Sequence, residues 1–92
     1  MEIEKKIWPN QYQATKSGER RFELRIADFD IKKGDTLVLK EWDPRKKEYT
    51  GKALRKKCRM IVKFNPLDFN TLEEIERFGF YLIELADEEK SE

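Results

Sequence analysis

The tightest constraint in the chain is the alternation Arg21-Phe22-Glu23-Leu24-Arg25-Ile26, entered through the turn Ser17-Gly18. Phe22, Leu24 and Ile26 fall on one side; Arg21, Glu23 and Arg25 fall on the other. Apolar residues at a period of two predict a half-buried strand, one face in a core and the other toward water. The outward row sets a carboxylate between two guanidiniums. Glu23 and Arg25 are two apart, so on a strand they point the same way and can face one ligand. The row equally fits a solvated face whose charges pair across to a neighbour.

The other elements follow from the same periodicities. Ile3–Trp8 reads as a short first strand, with Ile3, Lys5 and Ile7 on one face and Glu4, Lys6 and Trp8 on the other. Neither face is cleanly apolar, which suits an edge strand or one half in a cleft. Pro9 suits the first turn of a short helix over Asn10–Lys16, with Trp8, Tyr12 and Thr15 on one stripe, and Gly18 stops it. Lys33-Gly34-Asp35 is a turn. Thr36–Asp43 is the next strand, with Leu37, Leu39 and Glu41 facing one way and Val38, Lys40 and Trp42 the other. Asp43–Gly51 reads as a hairpin loop. A long strand, Lys52–Phe64, follows, with Arg55, Lys57, Arg59 and Lys63 sharing its outer face. Thr71-Leu72-Glu73-Glu74 has the form of a capping box opening a second short helix, which Gly79 closes. Phe80–Leu85 is the final strand and Asp87–Glu92 an acidic, frayed tail.

Strands joined by hairpins, with two small helices, predict an α+β fold in one domain spanning residues 1–92. The expected architecture is a curled, mostly antiparallel sheet or small barrel of about five strands with two short flanking helices. Phe22, Leu24, Leu37, Leu39, Met60, Val62, Leu82 and Leu85 are the expected core.

What the chain lacks narrows its chemistry. It has no His and a single Cys, Cys58, so the commonest general base, the commonest metal ligand and any cysteine cluster are missing. No metal and no cofactor are expected, and catalysis would have to use Lys, Glu, Asp, Thr or Tyr. The N-terminal residues lead into no apolar run, and no stretch approaches membrane-spanning length. A cytoplasmic location without membrane association is therefore expected.

Charged residues make up 42% of the chain, far above the usual quarter, yet the net charge is only +1. The balance conceals an asymmetry. Between Arg45 and Lys63 there are nine lysines and arginines against Glu48 alone, whereas Glu84–Glu92 holds five acids and Lys90. A basic hairpin carrying Tyr49, beside a strand ending in Trp42, is a composition that holds phosphates and stacks bases. Lysines on an exposed hairpin also serve simply to block edge pairing.

Three blocks now carry a likeness: Ser17-Gly18-x-Arg20-x-Phe22-Glu23-x-Arg25, then Lys33-Gly34-Asp35-x-Leu37-x-Leu39-Lys40-Glu41-Trp42-Asp43, then Tyr49-Thr50-Gly51. In this order they resemble the ASCH domains of the PUA-like superfamily, most of all its small stand-alone branch. The resemblance implies a small PUA-like β-barrel with short flanking helices and a charged cleft for RNA or a nucleotide-like ligand. It carries the family's first-strand lysine onto Lys6 and the basic residue after the glycine onto Arg20. The acidic-or-threonine position falls on Glu23 and the arginine on Arg25. Some ASCH-like bacterial enzymes hydrolyse an N-acylated cytidine with a lysine, a threonine and a glutamate. Their lysine aligns with Arg20, which stays protonated and cannot act as a base, and their threonine aligns with Glu23, which has no hydroxyl. Ala27 and Phe29 stand where the branch often carries Asn and Arg, which shrinks the polar part of the cleft.

The expected function is RNA binding. Lys6, Arg20 and Arg25 would meet phosphate or base oxygens, and Glu23 would hold a guanidinium or accept from an exocyclic amine. Trp42 and Tyr49 would offer stacking faces, and Lys40, Arg55, Lys57 and Arg59 would extend the basic surface. One alternative is a small amidohydrolase acting on an N-acylated nucleoside, with Glu23 as base and Lys6 as activating cation. Another is a protein-interaction module that sets the basic hairpin against an acidic partner.

Overall fold

Two breakers delimit the first helix. Pro9 occupies its first turn with φ already fixed, and Gly18 leaves it in the left-handed region at φ 88°, donating its N–H to the Thr15 carbonyl. The computed structural model describes residues 1–81 and residue 83. Among them the order is β1 (Glu2–Ile7), α1 (Pro9–Ser17), β2 (Thr36–Asp43), β3 (Glu48–Lys57), a 3-10 turn at Pro66–Asp68, and α2 (Leu72–Phe78). The described residues form a small α+β fold with a three-stranded open sheet in the order β1-β2-β3 and two helices.

β2 is the middle strand because its faces suit that place. Leu37 and Leu39 are buried on one side, while Val38, Lys40 and Trp42 stay half-covered on the other. It runs parallel to β1, with Ile3 opposite Leu37 and Ile7 opposite Glu41. It runs antiparallel to β3, with Leu39 opposite Leu54. Parallel neighbours need a long crossover, and α1 lies within it. Tyr12 and Thr15 of α1 are buried with Ile7, Leu37 and Leu39, and Ile3, Ile31, Leu54 and Cys58 pack around that core. Each fully covered Ile or Leu contributes about 1.5–3 kcal/mol, so these few side chains dominate the stability of the described fold.

The β2–β3 connection is tighter than the expected Asp43–Gly51 loop. The Asp43 carboxylate accepts the N–H groups of Arg45 (2.9 Å) and Lys46 (3.3 Å), which closes the turn within four residues, Pro44–Lys47. Glu48–Gly51 therefore belong to β3. The register slips between Lys40 and Trp42, and Gly51, at φ 95°, absorbs the extra length as a bulge. The bulge brings the Thr50 hydroxyl within 2.7 Å of the buried Glu41 carboxylate, to which it donates.

Several expectations are corrected. Arg21–Ile26 is not a strand: it makes no backbone–backbone hydrogen bond among the described residues, and a strand is held by its ladder. Its register is also reversed, with Phe22 and Leu24 exposed at 38% and 61% while Glu23 is turned inward by its arginine partners. β3 stops at Lys57 rather than Phe64 because its partner β2 begins only at Thr36, opposite Lys57. One further exchange, Cys58 N–H to Asp35 O and Gly34 N–H to Cys58 O, ends the pairing. Met60 and Val62 are consequently exposed, not core. Among the described residues the sheet is neither mostly antiparallel nor a closed barrel of five strands, since one of its two pairings is parallel and its edges stay open. Phe80, Tyr81 and Ile83 are not in a strand; Leu82, Leu85 and the acidic tail lie outside the described residues. The capping box is present, with the Thr71 hydroxyl accepting from Glu74 N–H and Glu74 accepting from Thr71 N–H.

Candidate functional site

The segment after α1 is held by side chains instead of a ladder, and those side chains build a cleft. Arg20 Nη1 donates to the Thr15 hydroxyl on α1 (3.2 Å) and to Glu23 Oε1. Arg25 Nε donates to Glu23 Oε2 at 2.9 Å, and Arg25 Nη2 donates to the Lys6 carbonyl on β1 at 2.6 Å. Glu23 thus locks two guanidiniums that are anchored to different elements. Ionised donor and acceptor make such bonds about twice as strong as neutral ones. The sequence row had placed Arg21 and Arg25 beside Glu23; the pair is Arg20 and Arg25, and Arg21 instead donates to the Gly18 carbonyl.

Arg20, Glu23 and Arg25 line a cleft of about 530 Å³ together with Lys6, Ile7, Trp8, Gln11 and Leu24. The lining sets Lys6, Arg20 and Arg25 against Glu23, a formal surplus of positive charge. Its size is that of a small-ligand site. A second hollow of about 120 Å³ lies between Asn70 and Phe80, away from this cluster.

Beside the cleft, on the sheet face turned away from α1, lies an aromatic shelf. The Lys6 ammonium sits 3.8 Å from the Trp42 ring centre, and Tyr49 meets Trp42 edge-on at 5.0 Å and 81°. Lys40 lies 4.9 Å from the Tyr49 ring and 3.5 Å from a Glu4 carboxylate oxygen. Cations so placed are attracted by the ring quadrupole. The two tryptophans therefore differ: one is half-buried under an ammonium, whereas Trp8 is 57% exposed in the cleft.

Residues 4–72 match a protein family described as a domain of unknown function, DUF3850. The chain belongs to that family. No curated protein and no solved structure matches it. The DUF3850 span includes every residue that lines the cleft and every residue of the aromatic shelf.

Of the site residues read from the sequence, the DUF3850 fold brings Lys6, Arg20, Glu23 and Arg25 together in the cleft and sets Lys40, Trp42 and Tyr49 on the neighbouring shelf. Arg55, Lys57 and Arg59 line neither. Arg55 forks onto Glu2 instead, and the hydrogen bonds of that pair hold the Glu2 carboxyl below its usual range. Lys57 ends β3, and Arg59 lies past it, so the expected basic row of Arg55, Lys57, Arg59 and Lys63 is not one strand face. Cys58 is half-buried, and burial together with the nearby Asp35 charge pushes its thiol pKa up, away from nucleophilic character. Among the described residues no group of His, Cys, Asp and Glu could hold a metal ion, and no helix is long and apolar enough to cross a membrane.

Sequence reasoning missed Trp8 and Gln11. Periodicity puts Trp8 on one stripe with Tyr12 and Thr15, but it is the N-cap residue, and its side chain makes no capping bond. That position favours Ser, Thr, Asp or Asn, and a local rule broken without local gain is the signal that marked it.

Proposed function

We propose that this chain is a nucleic-acid-binding module, for RNA, that uses the cleft between β1, α1 and the Arg20–Arg25 segment. The observation that carries the reading is the pair of guanidiniums, Arg20 and Arg25, fixed by one carboxylate on the wall of a cleft with surplus positive charge. Preset guanidiniums suit phosphate and base oxygens, because the fork is already oriented when the ligand arrives. The turn Pro44–Lys47 with Arg45, Lys46 and Lys47 adds a screened basic rim, and Tyr49 an exposed ring beside it. Kinship with the ASCH domains of the PUA-like superfamily, and a cytoplasmic location, belong to this same reading.

Hydrolysis of an acylated nucleoside is less favoured by the geometry. Both oxygens of Glu23 accept from guanidiniums, so the carboxylate is engaged in holding them. The test is a fluorescence titration of a short labelled single-stranded RNA at several salt concentrations. Binding should weaken with salt, each contacted phosphate adding a log–log slope of about −0.7. Absence of binding at low salt, with turnover of an N-acylated cytidine, would replace this reading by the hydrolase.

A further inference from the structure

An RNA can offer the cleft either an internal stretch of its backbone or a chain end. Resting on the RNA-binding reading, we infer that the cleft takes a terminal nucleotide bearing a phosphomonoester, its base stacked on Trp8 and its phosphate on Arg20 and Arg25, while Trp42 positions Lys6.

The donor inventory points to the phosphate. Arg20 uses only Nη1, and Arg25 uses Nε and Nη2. Among the described residues Arg20 Nε and Nη2 and Arg25 Nη1 have no acceptor. Two fixed guanidiniums thus keep several N–H groups for one anion, and a terminal phosphate offers three free oxygens where a diester offers two. Charge agrees. Lys6, Arg20 and Arg25 against Glu23 leave a formal surplus of two, matching the charge of about −1.5 to −2 on a phosphomonoester near neutral pH. A backbone diester would neutralise only half of it. A cleft of about 530 Å³ also has room for a single nucleotide.

The aromatic inventory points to Trp8. Trp42 is half-buried, does not line the cleft, and has the Lys6 ammonium 3.8 Å from its ring centre and Tyr49 against it edge-on. A base stacking there would displace that cation. Trp8 lines the cleft, is 57% exposed, and caps α1 through its backbone alone, so its indole is free of structural work at the helix start. Gln11, one turn on, lines the same cleft and can both donate to and accept from a base edge.

The experiment compares one labelled hexanucleotide RNA in three forms: 5′-phosphorylated, 3′-phosphorylated, and hydroxyl at both ends. Binding is followed by anisotropy to the wild-type chain, Trp8→Ala and Trp42→Phe, with circular dichroism confirming the fold of each. One phosphorylated form should bind at least tenfold tighter than the hydroxyl-ended RNA, and which one identifies the end. Trp8→Ala should lower that affinity roughly 5- to 150-fold, the range for loss of one base stack. In Trp42→Phe, where Trp8 is the only indole, the phosphorylated RNA should quench the emission. Equal affinity for all three forms would overturn the terminal-phosphate inference while leaving RNA binding intact. Unchanged binding by Trp8→Ala would overturn the stacking assignment. No binding of any form at low salt would remove the RNA reading itself.

Discussion

At the scale of single residues, Glu23 matters through what it holds. Its two oxygens take one N–H each from Arg20 and Arg25, and those arginines reach Thr15 on α1 and the Lys6 carbonyl on β1. Removing Arg25 therefore takes away a guanidinium proposed to meet the ligand and also leaves the Lys6 carbonyl of β1 without its side-chain partner. Arg25→Ala should weaken RNA binding by about 1.5–3 kcal/mol, the range for hydrogen bonds to charged groups. Single alanine changes at Arg45, Lys46 or Lys47, exposed on the turn, should cost well under about 1 kcal/mol each, because solvent and salt screen them. Calorimetric titration of the four variants decides it; comparable losses in all four would mean that charge alone, and not the cleft, binds. Of the residues lining this cleft, Glu23 and Arg25 were legible in the alternation itself, whereas Lys6 and Arg20 came only through the resemblance. Periodicity selected Arg21 in place of Arg20, because it assumed a strand and so put every second side chain on one face. Trp8 escaped because the helical stripe grouped it with Tyr12 and Thr15, which are buried, whereas Trp8 is exposed.

At the scale of elements, local signals were readable where residues mark an element's ends or its faces. α1 is bounded by Pro9 and Gly18, α2 by its capping box, and β2 by clean alternation, and all three appear at or within a residue or two of the expected limits. Which segment finds a partner, and where its pairing stops, was not readable in the same way. The alternation in Arg21–Ile26 lacks a ladder among the described residues, and β3 ends where β2 offers nothing more to pair with. Length of pairing is a property of two segments, and neither sequence alone contains it. The capping box allows a test. Thr71→Ala removes the hydroxyl that accepts from Glu74 N–H and should cost about 1 kcal/mol of local helix stability. α2 buries no residue, so the loss should show in the α2 amide shifts by NMR and hardly at all in the urea midpoint. A midpoint that falls by the full amount would mean that α2 is coupled to the core.

At the scale of the whole molecule, stability rests on the small cluster of Ile7, Tyr12, Leu37 and Leu39 and on the turn that starts β2. In that turn the Asp35 carboxylate accepts the Lys32 N–H at 2.9 Å and, second, the Met1 ammonium, and both hold its pKa below the usual range. A carboxylate with a lowered folded pKa binds fewer protons folded than unfolded. Its contribution is therefore fully present above the ordinary carboxylate value and is lost as pH falls below about 4 toward the folded pKa. Urea midpoints measured between pH 6 and pH 3 should fall on the acid side, and Asp35→Asn should flatten that fall; an unchanged acid limb would exclude the turn as its source. The cluster's own share is tested by Leu39→Ala. Leu39 is 1% exposed at the centre of the middle strand, and such truncations cost about 2–5 kcal/mol. A domain of this size holds only about 5–15 kcal/mol in total, so the variant should be partly unfolded or shifted far toward the unfolded state. Hydrogen exchange in the wild type locates the same boundary. Amides of Leu37–Lys40 should be the slowest, since both edges of β2 are paired. Those of Arg21–Ile26 and Met60–Lys63, which lack backbone partners among the described residues and carry side chains as exposed as Met60 at 80%, should exchange orders of magnitude faster. Protection of Met60–Lys63 equal to that of β2 would mean that this segment is paired in a larger sheet, and that the core extends well beyond the cluster of Ile7, Tyr12, Leu37 and Leu39.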